Sequence, residues 1–231
     1  MLKHTLALVG LSLIILSANA ALIDRGGGMI YDDQLKITWL QNANYAAKQY
    51  KDTDGREGSE NGKMTWEDAR DWAKNLSYED YNDWRLPEAK LMNSDRYCRA
   101  NDGSCDMGYN NTTGELGHMF YNNLEYLGSV DVNGKALESG YGVQKDVKNV
   151  ASVSIENLQS GPYWLSDEHH SGSVAWKFRT DIGWQGISNM SLKHYSWAVR
   201  AGDVQPVPVP EAAWLFGMGL ISLVGMKRGY R

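Results

Sequence analysis

Between about Leu22 and Val204 apolar residues recur at every second position near both ends and at three- or four-residue spacing in the middle, so segments far apart in sequence must close one sheet. Leu35, Ile37 and Trp39 alternate with polar or outward positions, and Met29-Ile30-Tyr31 precedes the turn Asp32-Asp33-Gln34, which predicts a hairpin. After Gly161 the period of two returns in Tyr163-Trp164-Leu165. It continues in Val174, Trp176 and Phe178 against Ala175, Lys177 and Arg179, and then in Tyr195, Trp197 and Val199. In the middle, Thr65 caps a helix from Trp66 to Leu76 whose inner face holds Trp66, Ala69, Trp72, Ala73 and Leu76, with Asp68 placed to complete the cap. A second helix is expected from Glu115 to Leu127, with Leu116, Met119, Phe120, Leu124 and Leu127 on one side and Gly128 as its stop. The class is α+β: a small twisted antiparallel sheet joins both termini, two helices flank it, and long loops run Lys51 to Lys63, Arg99 to Thr113 and Ser129 to Ser154.

The two ends of the chain carry addresses. Lys3 and His4 precede the apolar stretch Leu6 to Leu16, and Ala18-Asn19-Ala20 supplies the small residues that signal peptidase requires, so residues 1–20 read as a signal peptide. At the other end stand Val207, Pro208, Val209, Pro210 and Glu211, then the uncharged run Ala212 to Met226, then the basic tail Lys227 to Arg231. Alternate prolines favour an extended arm. The apolar run, residues 212–226, reads as a short transmembrane helix; at helical rise it spans about 22 Å, short of the roughly 30 Å hydrocarbon core, which suits a transient anchor. Motif, short helix and basic tail together resemble the PEP-CTERM sorting signal of Gram-negative bacteria. That resemblance implies an exosortase as partner, cleavage near the proline motif, and passage through the membrane to the cell surface or extracellular matrix. The chain thus divides into a signal peptide (1–20), a single domain (21–203), a linker with the sorting motif (204–211), the membrane helix (212–226) and the tail (227–231).

Charge removes one class of partner. With 28 acidic against 23 basic residues the net charge is −5, and no Lys/Arg stripe offers a footprint for nucleic acid. Cys98 and Cys105, in an exported chain and a polar loop, favour a disulfide over a metal thiolate pair; so small a ring stabilises by roughly 2–3 kcal/mol. Nine Trp and thirteen Tyr exceed what a core of this size needs. Trp184 and Tyr195, near Gly183 and Gly186, are the ligand-stacking candidates, with packing in the sheet as the alternative.

In order along the chain come Met64-Thr65-Trp66-Glu67-Asp68-Ala69, Asn82-Asp83-Trp84-Arg85-Leu86-Pro87, Gly117-His118-Met119-Phe120-Tyr121-Asn122, Tyr163-Trp164-Leu165-Ser166, Ala175-Trp176 and Trp197-Ala198-Val199-Arg200. This series resembles the Lcl C-terminal-like domain, a bacterial family of unknown function. The resemblance implies a C-type-lectin-like fold, shared with formylglycine-generating enzymes. Within the DWRLP box, Trp84 and Leu86 read as core, Pro87 as the first turn of a short helix through Met92, and Arg85 as the partner of carbonyls or a carboxylate. A ligand-gripping role for Arg85 with Asp83 is the functional alternative.

No cofactor is required by these residues, and calcium is the one they admit: Asp52, Asp54, Glu57 and Glu60 surround Gly55 in a flexible loop, without the spacing of an EF-hand. The calcium-binding triplets of sugar-binding lectins are missing from the sequence. Asp167-Glu168-His169-His170 is the densest acid/base cluster, yet neighbouring side chains on an extended segment point to opposite faces, so it reads as a loop tip. His118 and His194 read as structural, and no catalytic triad or phosphate loop stands out. The expected function is a noncatalytic binding domain for polysaccharide or neighbouring surface proteins. The alternative is a secreted metal-dependent enzyme of the formylglycine-generating type, with metal near His169 and His170. Intact-mass measurement of the exported protein should find a species that begins at Ala21 and lacks Arg231; a main species retaining Arg231 contradicts the sorting signal.

Overall fold

The alternation at the two ends builds two sheets, and Val199 is where the last strand joins the first of them. The computed structural model describes residues 22–92, 98–143 and 153–204. The signal peptide, the motif Val207 to Glu211, the apolar run 212–226 and the basic tail lie outside the described residues. The first half contains strands β1 (Leu22–Gly26), β2 (Met29–Asp32) and β3 (Ile37–Leu40), helix α1 (Tyr45–Asp52), strand β4 (Lys63–Met64) and helix α2 (Trp66–Asn75). Strands β5 (Arg99–Ala100) and β6 (Met107–Tyr109) follow, then helix α3 (Glu115–His118), which runs into a π turn (Met119–Asn123). The chain ends on β7 (Pro162–Glu168), β8 (Val174–Arg179), β9 (Trp184–Asn189), β10 (His194–Tyr195) and β11 (Val199–Ala201).

Four strands in the order β1-β2-β3-β11 form an antiparallel sheet that joins the two ends, with Val199 opposite Trp39. The sequence predicts one small sheet, whereas the structure adds a second of seven strands, β4-β10-β7-β8-β9-β6-β5. This sheet is mixed, because β10 returns parallel to β7 and β5 runs parallel to β6. The loop expected from Arg99 to Thr113 therefore contributes two short strands, and Cys98 and Cys105 are joined by a disulfide beside them, with Cα atoms 5.3 Å apart.

Two apolar clusters hold the layers. The larger contains Trp39 and Trp197, whose ring centroids lie 4.6 Å apart, along with Met29, Ile30, Phe120, Phe178 and Tyr163. Trp197 Nε1 donates to the Leu40 carbonyl at 2.6 Å, so burying this indole leaves no unmet donor. The smaller packs Ala46 of α1 and Trp66, Ala69 and Ala73 of α2 against Trp164 and Ala175. Here too the indoles are satisfied: Trp66 Nε1 donates to the Leu165 carbonyl and Trp164 Nε1 to that of Met64. Helix α2 starts as its sequence predicts, with Thr65 Oγ1 accepting from the Asp68 amide.

Three helical expectations change. Helix α1 is an addition, a polar segment whose one buried residue is Ala46. The second predicted helix is shorter: after the π turn the chain leaves helical geometry, Glu125 takes φ 52°, and Leu127, expected inside, is 56% exposed. Asn123 ends the turn with its amide donating to Asp32 Oδ2 at 2.7 Å, a buried polar contact that competes with further helix. Pro87 begins no helix. Its carbonyl accepts the Ser166 amide, that of Glu88 accepts the Glu115 amide, and Lys90 has φ 49°, so 87–92 runs as irregular chain against its neighbours.

Arg85 explains that detour. Its guanidinium grips Glu115 with two bonds of 2.8 Å, and Glu115, fully buried, also accepts the Glu88 amide. Among the described residues no helix is long and apolar enough to cross a membrane. Arg85→Ala should lower stability by about 3–5 kcal/mol in denaturant titration, since it strands a buried carboxylate, and Arg85→Met with Glu115→Met should recover most of that loss.

Candidate functional site

Helices α1 and α2 both reach the smaller apolar cluster, and the loop between α1 and β4 folds back beside them, its Ser59 amide donating to the Ala46 carbonyl. Two glycines permit the fold-back. Gly58 has φ 76° and lies where a Cβ would stand 2.2 Å from the Ala46 carbonyl, while a Cβ on Gly62, φ 79°, would collide with Asn44. The result is an open, largely polar cleft of about 980 Å³. Tyr50 and Trp72 line it with partly buried rings, and Gln49, Glu57, Glu60 and Asp71 are among its polar groups.

One chain of hydrogen bonds crosses the cleft wall. Trp72 Nε1 of α2 donates to Gln49 Oε1 of α1 at 2.7 Å, and Gln49 Nε2 donates to Glu57 Oε2 of the loop at 2.6 Å. The Gln49 amide is thereby fixed in orientation, with its donor and acceptor ends both assigned, and Glu57 keeps Oε1 for another partner. Glu57, Glu60, Asp68 and Asp71 outnumber Lys63 and Lys193 along the walls, so the cleft is acidic. Lys63 places its ammonium 4.7 Å from the centre of the Tyr195 ring. The Ser59 hydroxyl donates to the Lys63 carbonyl, and no histidine or cysteine stands among the lining residues. Rings, a fixed amide and carboxylates are groups able to stack on and hydrogen-bond with a hydroxyl-rich ligand.

The structure separates the residues expected to form sites. Glu57 and Glu60 reach the cleft, while Asp52 pairs with Lys48 one turn back on α1 and Asp54 is exposed at φ 52°. Among the described residues no group of three or more His, Cys, Asp or Glu side chains could hold a metal ion, and these four carboxylates form no calcium cage. Arg85 faces Glu115, whereas Asp83 takes Arg200 at 2.7 and 3.0 Å, and that hydrogen-bonded guanidinium holds the Asp83 carboxyl below the usual carboxylate range. Trp184 stands half-exposed at the start of β9, and Tyr195 stacks on Tyr163 with centroids 5.3 Å apart; strands β7 and β8 lie between them. His169 and His170 occupy the β7–β8 turn with rings 4.2 Å apart.

Gln49 and Tyr50 are not evident from the sequence pattern, while Trp72, expected on the inner face of its helix, packs against both apolar clusters and lines the cleft as well. A signal existed for Trp72: at 100° per residue it stands about 80° off the centre of the stripe formed by Trp66, Ala69, Ala73 and Leu76. Compared with protein-family models, with curated proteins and with solved structures, the chain matches none.

Next to the cleft residue Lys193, His194 is buried, its ring stacked 4.2 Å from that of Trp164 and its Nε2 lying 2.9 Å from Ser188 Oγ. Burial, with Lys177 and Lys63 nearby, pushes its pKa down to about 4. The folded protein therefore refuses a proton that the unfolded chain accepts near pH 6.5. Stability from the neutral ring is complete above about pH 6.5, declines as pH falls, and its loss levels off once the folded value is passed, for a total of about 3 kcal/mol. Melting curves from pH 7 to 4 should show this slope, and His194→Gln should flatten it.

Proposed function

We propose that this is a noncatalytic saccharide-binding module displayed at the surface or in the extracellular matrix of a Gram-negative bacterium, with the cleft between α1 and α2 as the ligand seat. The observation that carries the reading is the chain from Trp72 through Gln49 to Glu57, which holds an aromatic ring, an amide and a carboxylate in fixed relation on one wall. A pyranose presents an apolar C–H face beside paired hydroxyls, and such a wall matches both: rings stack on the face while planar polar groups take adjacent hydroxyls. Fixing the groups before binding lowers the ordering cost of association.

Display rests on the two terminal signals. Signal peptidase and an exosortase are the processing partners in this proposal, with the short apolar run as a temporary membrane anchor. The Lcl C-terminal-like assignment and its C-type-lectin-like frame belong to the same proposal; what supports them is the meeting of both chain ends in one sheet, β3 with β11. Polysaccharide of the surrounding matrix is then the natural ligand pool, and nucleic acid is not.

A glycan array probed with the purified protein, with and without chelator, should return saccharides whose binding is indifferent to chelation. For the best of them Trp72→Ala should weaken binding per folded molecule by about 1–3 kcal/mol, and the melting temperature should fall as well, because the ring also packs against both apolar clusters. Unchanged affinity in this variant overturns the cleft as the seat, and binding abolished by chelator would restore calcium to the mechanism.

A further inference from the structure

The seven-stranded sheet has a face that one half of the molecule covers and the other half leaves open. Register places Trp164, Lys177 and Gly186 in one row across β7, β8 and β9, and Pro162, Arg179, Trp184 and Tyr109 in the next, across β7, β8, β9 and β6. Trp164 is fully buried in the cluster beneath α2, whereas Lys177, Arg179, Trp184 and Tyr109 are all partly exposed. The open part is therefore basic and aromatic.

Its centre is rigid. Trp184 swings the outer end of its indole across Gly186, two residues along the strand, where a Cβ would stand only 1.9 Å from Cη2. Any side chain at 186 would turn the ring away, so the glycine is what allows the indole to lie on the sheet. Arg99, exposed on the edge strand β5, holds its guanidinium 6.0 Å from the indole centroid. Arg179 is already paired with Asp181, at 3.1 and 2.5 Å, but Lys177 makes no side-chain hydrogen bond or ion pair among the described residues. Half-buried beside Arg179, its ammonium is desolvated, which lowers its pKa. An unpaired ammonium and an exposed guanidinium thus flank one flat apolar plate.

We propose that this face, centred on Trp184 with Lys177 and Arg99, is a second binding site that takes carboxylate-bearing saccharides. A uronate ring carries one carboxylate beside an apolar C–H face, matching a single indole with cations at its margin. A nucleic acid strand needs cations repeated along a phosphate track, and here they gather at one ring. The site shares no residue with the cleft between α1 and α2 and has the opposite sign of charge, so it does not depend on the cleft being a ligand seat.

The test titrates the purified full-length protein with oligogalacturonate, followed by calorimetry at low and high salt, alongside Lys177→Gln, Trp184→Ala, Arg99→Gln and Trp72→Ala. Binding should weaken by roughly tenfold in Lys177→Gln and in Trp184→Ala, weaken with added salt, and stay unchanged in Trp72→Ala. Should Trp184→Ala fail to fold, Lys177→Gln and Arg99→Gln, which alter only the rim of the plate, decide the matter. Failure of oligogalacturonate to bind, affinity indifferent to Lys177→Gln, or tighter binding of a single-stranded oligonucleotide at the same residues overturns the proposal.

Discussion

Glu115 has no exposed surface, and a buried carboxylate must be matched by charge and hydrogen bonds or the fold does not form. Arg85 supplies both bonds of the fork, and the Glu88 amide supplies a third. Arg85 in turn exchanges two backbone bonds with Val199, of 2.8 and 2.9 Å, and Val199 belongs to the strand that pairs with β3. This short ion pair, with Lys90 a further 3.7 Å partner of Glu115, thus ties the DWRLP segment, the start of α3 and the strand that closes the domain. Such pairs add little net stability over apolar packing, but they penalise every arrangement that separates the partners.

With the sheets fixed, the helices follow. Helix α2 is pinned where the Trp66 indole meets the Leu165 carbonyl, and the Trp164 indole in the same cluster binds the chain just before it, at Met64. Helix α1 contributes only Ala46 to that cluster and packs Tyr45 against the larger one, leaving the rest of its length partly exposed. An element held by so small an apolar contact leaves polar side chains free of the core, which is how Gln49 and Tyr50 come to line a cleft. The scaffold residues are thus large and indole-rich, and the cleft wall joins polar residues of α1 and the loop to Met64, Trp72 and Leu76, which also belong to or pack on the core.

How much of this was legible in the sequence depends on whether the signal was local. The hairpin of β2 and β3 and the capped start of α2 were, since alternation and the Thr65-to-Asp68 spacing carry them within a few residues. The meeting of first and last strands was legible as a class, from matching periodicity at both ends. Strand β9 was not, because Gly186 interrupts its apolar pattern for the benefit of Trp184. Nor was α1, whose polar composition resembles a loop, nor the π turn, whose end is set by Asn123 reaching Asp32 far away in sequence. The candidate cleft was illegible for the same reason: its walls are α1 and a loop folded on two glycines. Glu57 and Glu60 in that loop, and the off-centre position of Trp72, were its only signals.

The placement of β11 has a mechanical meaning. A pull transmitted along the chain beyond Val204 enters the domain through Val199–Ala201, a strand bonded to β3 on one side and to Arg85 on the other. Hydrogen bonds running across a strand share a load directed along it, so they must fail together instead of opening one after another. The side chains reinforce this clamp, because Arg200 reaches Asp83 and Arg25 reaches Asp203, joining the exit of the chain to both its first strand and the DWRLP segment. A load applied through Val204 would meet its greatest resistance at this one strand, and the cleft and the open face of the larger sheet would stay unstrained.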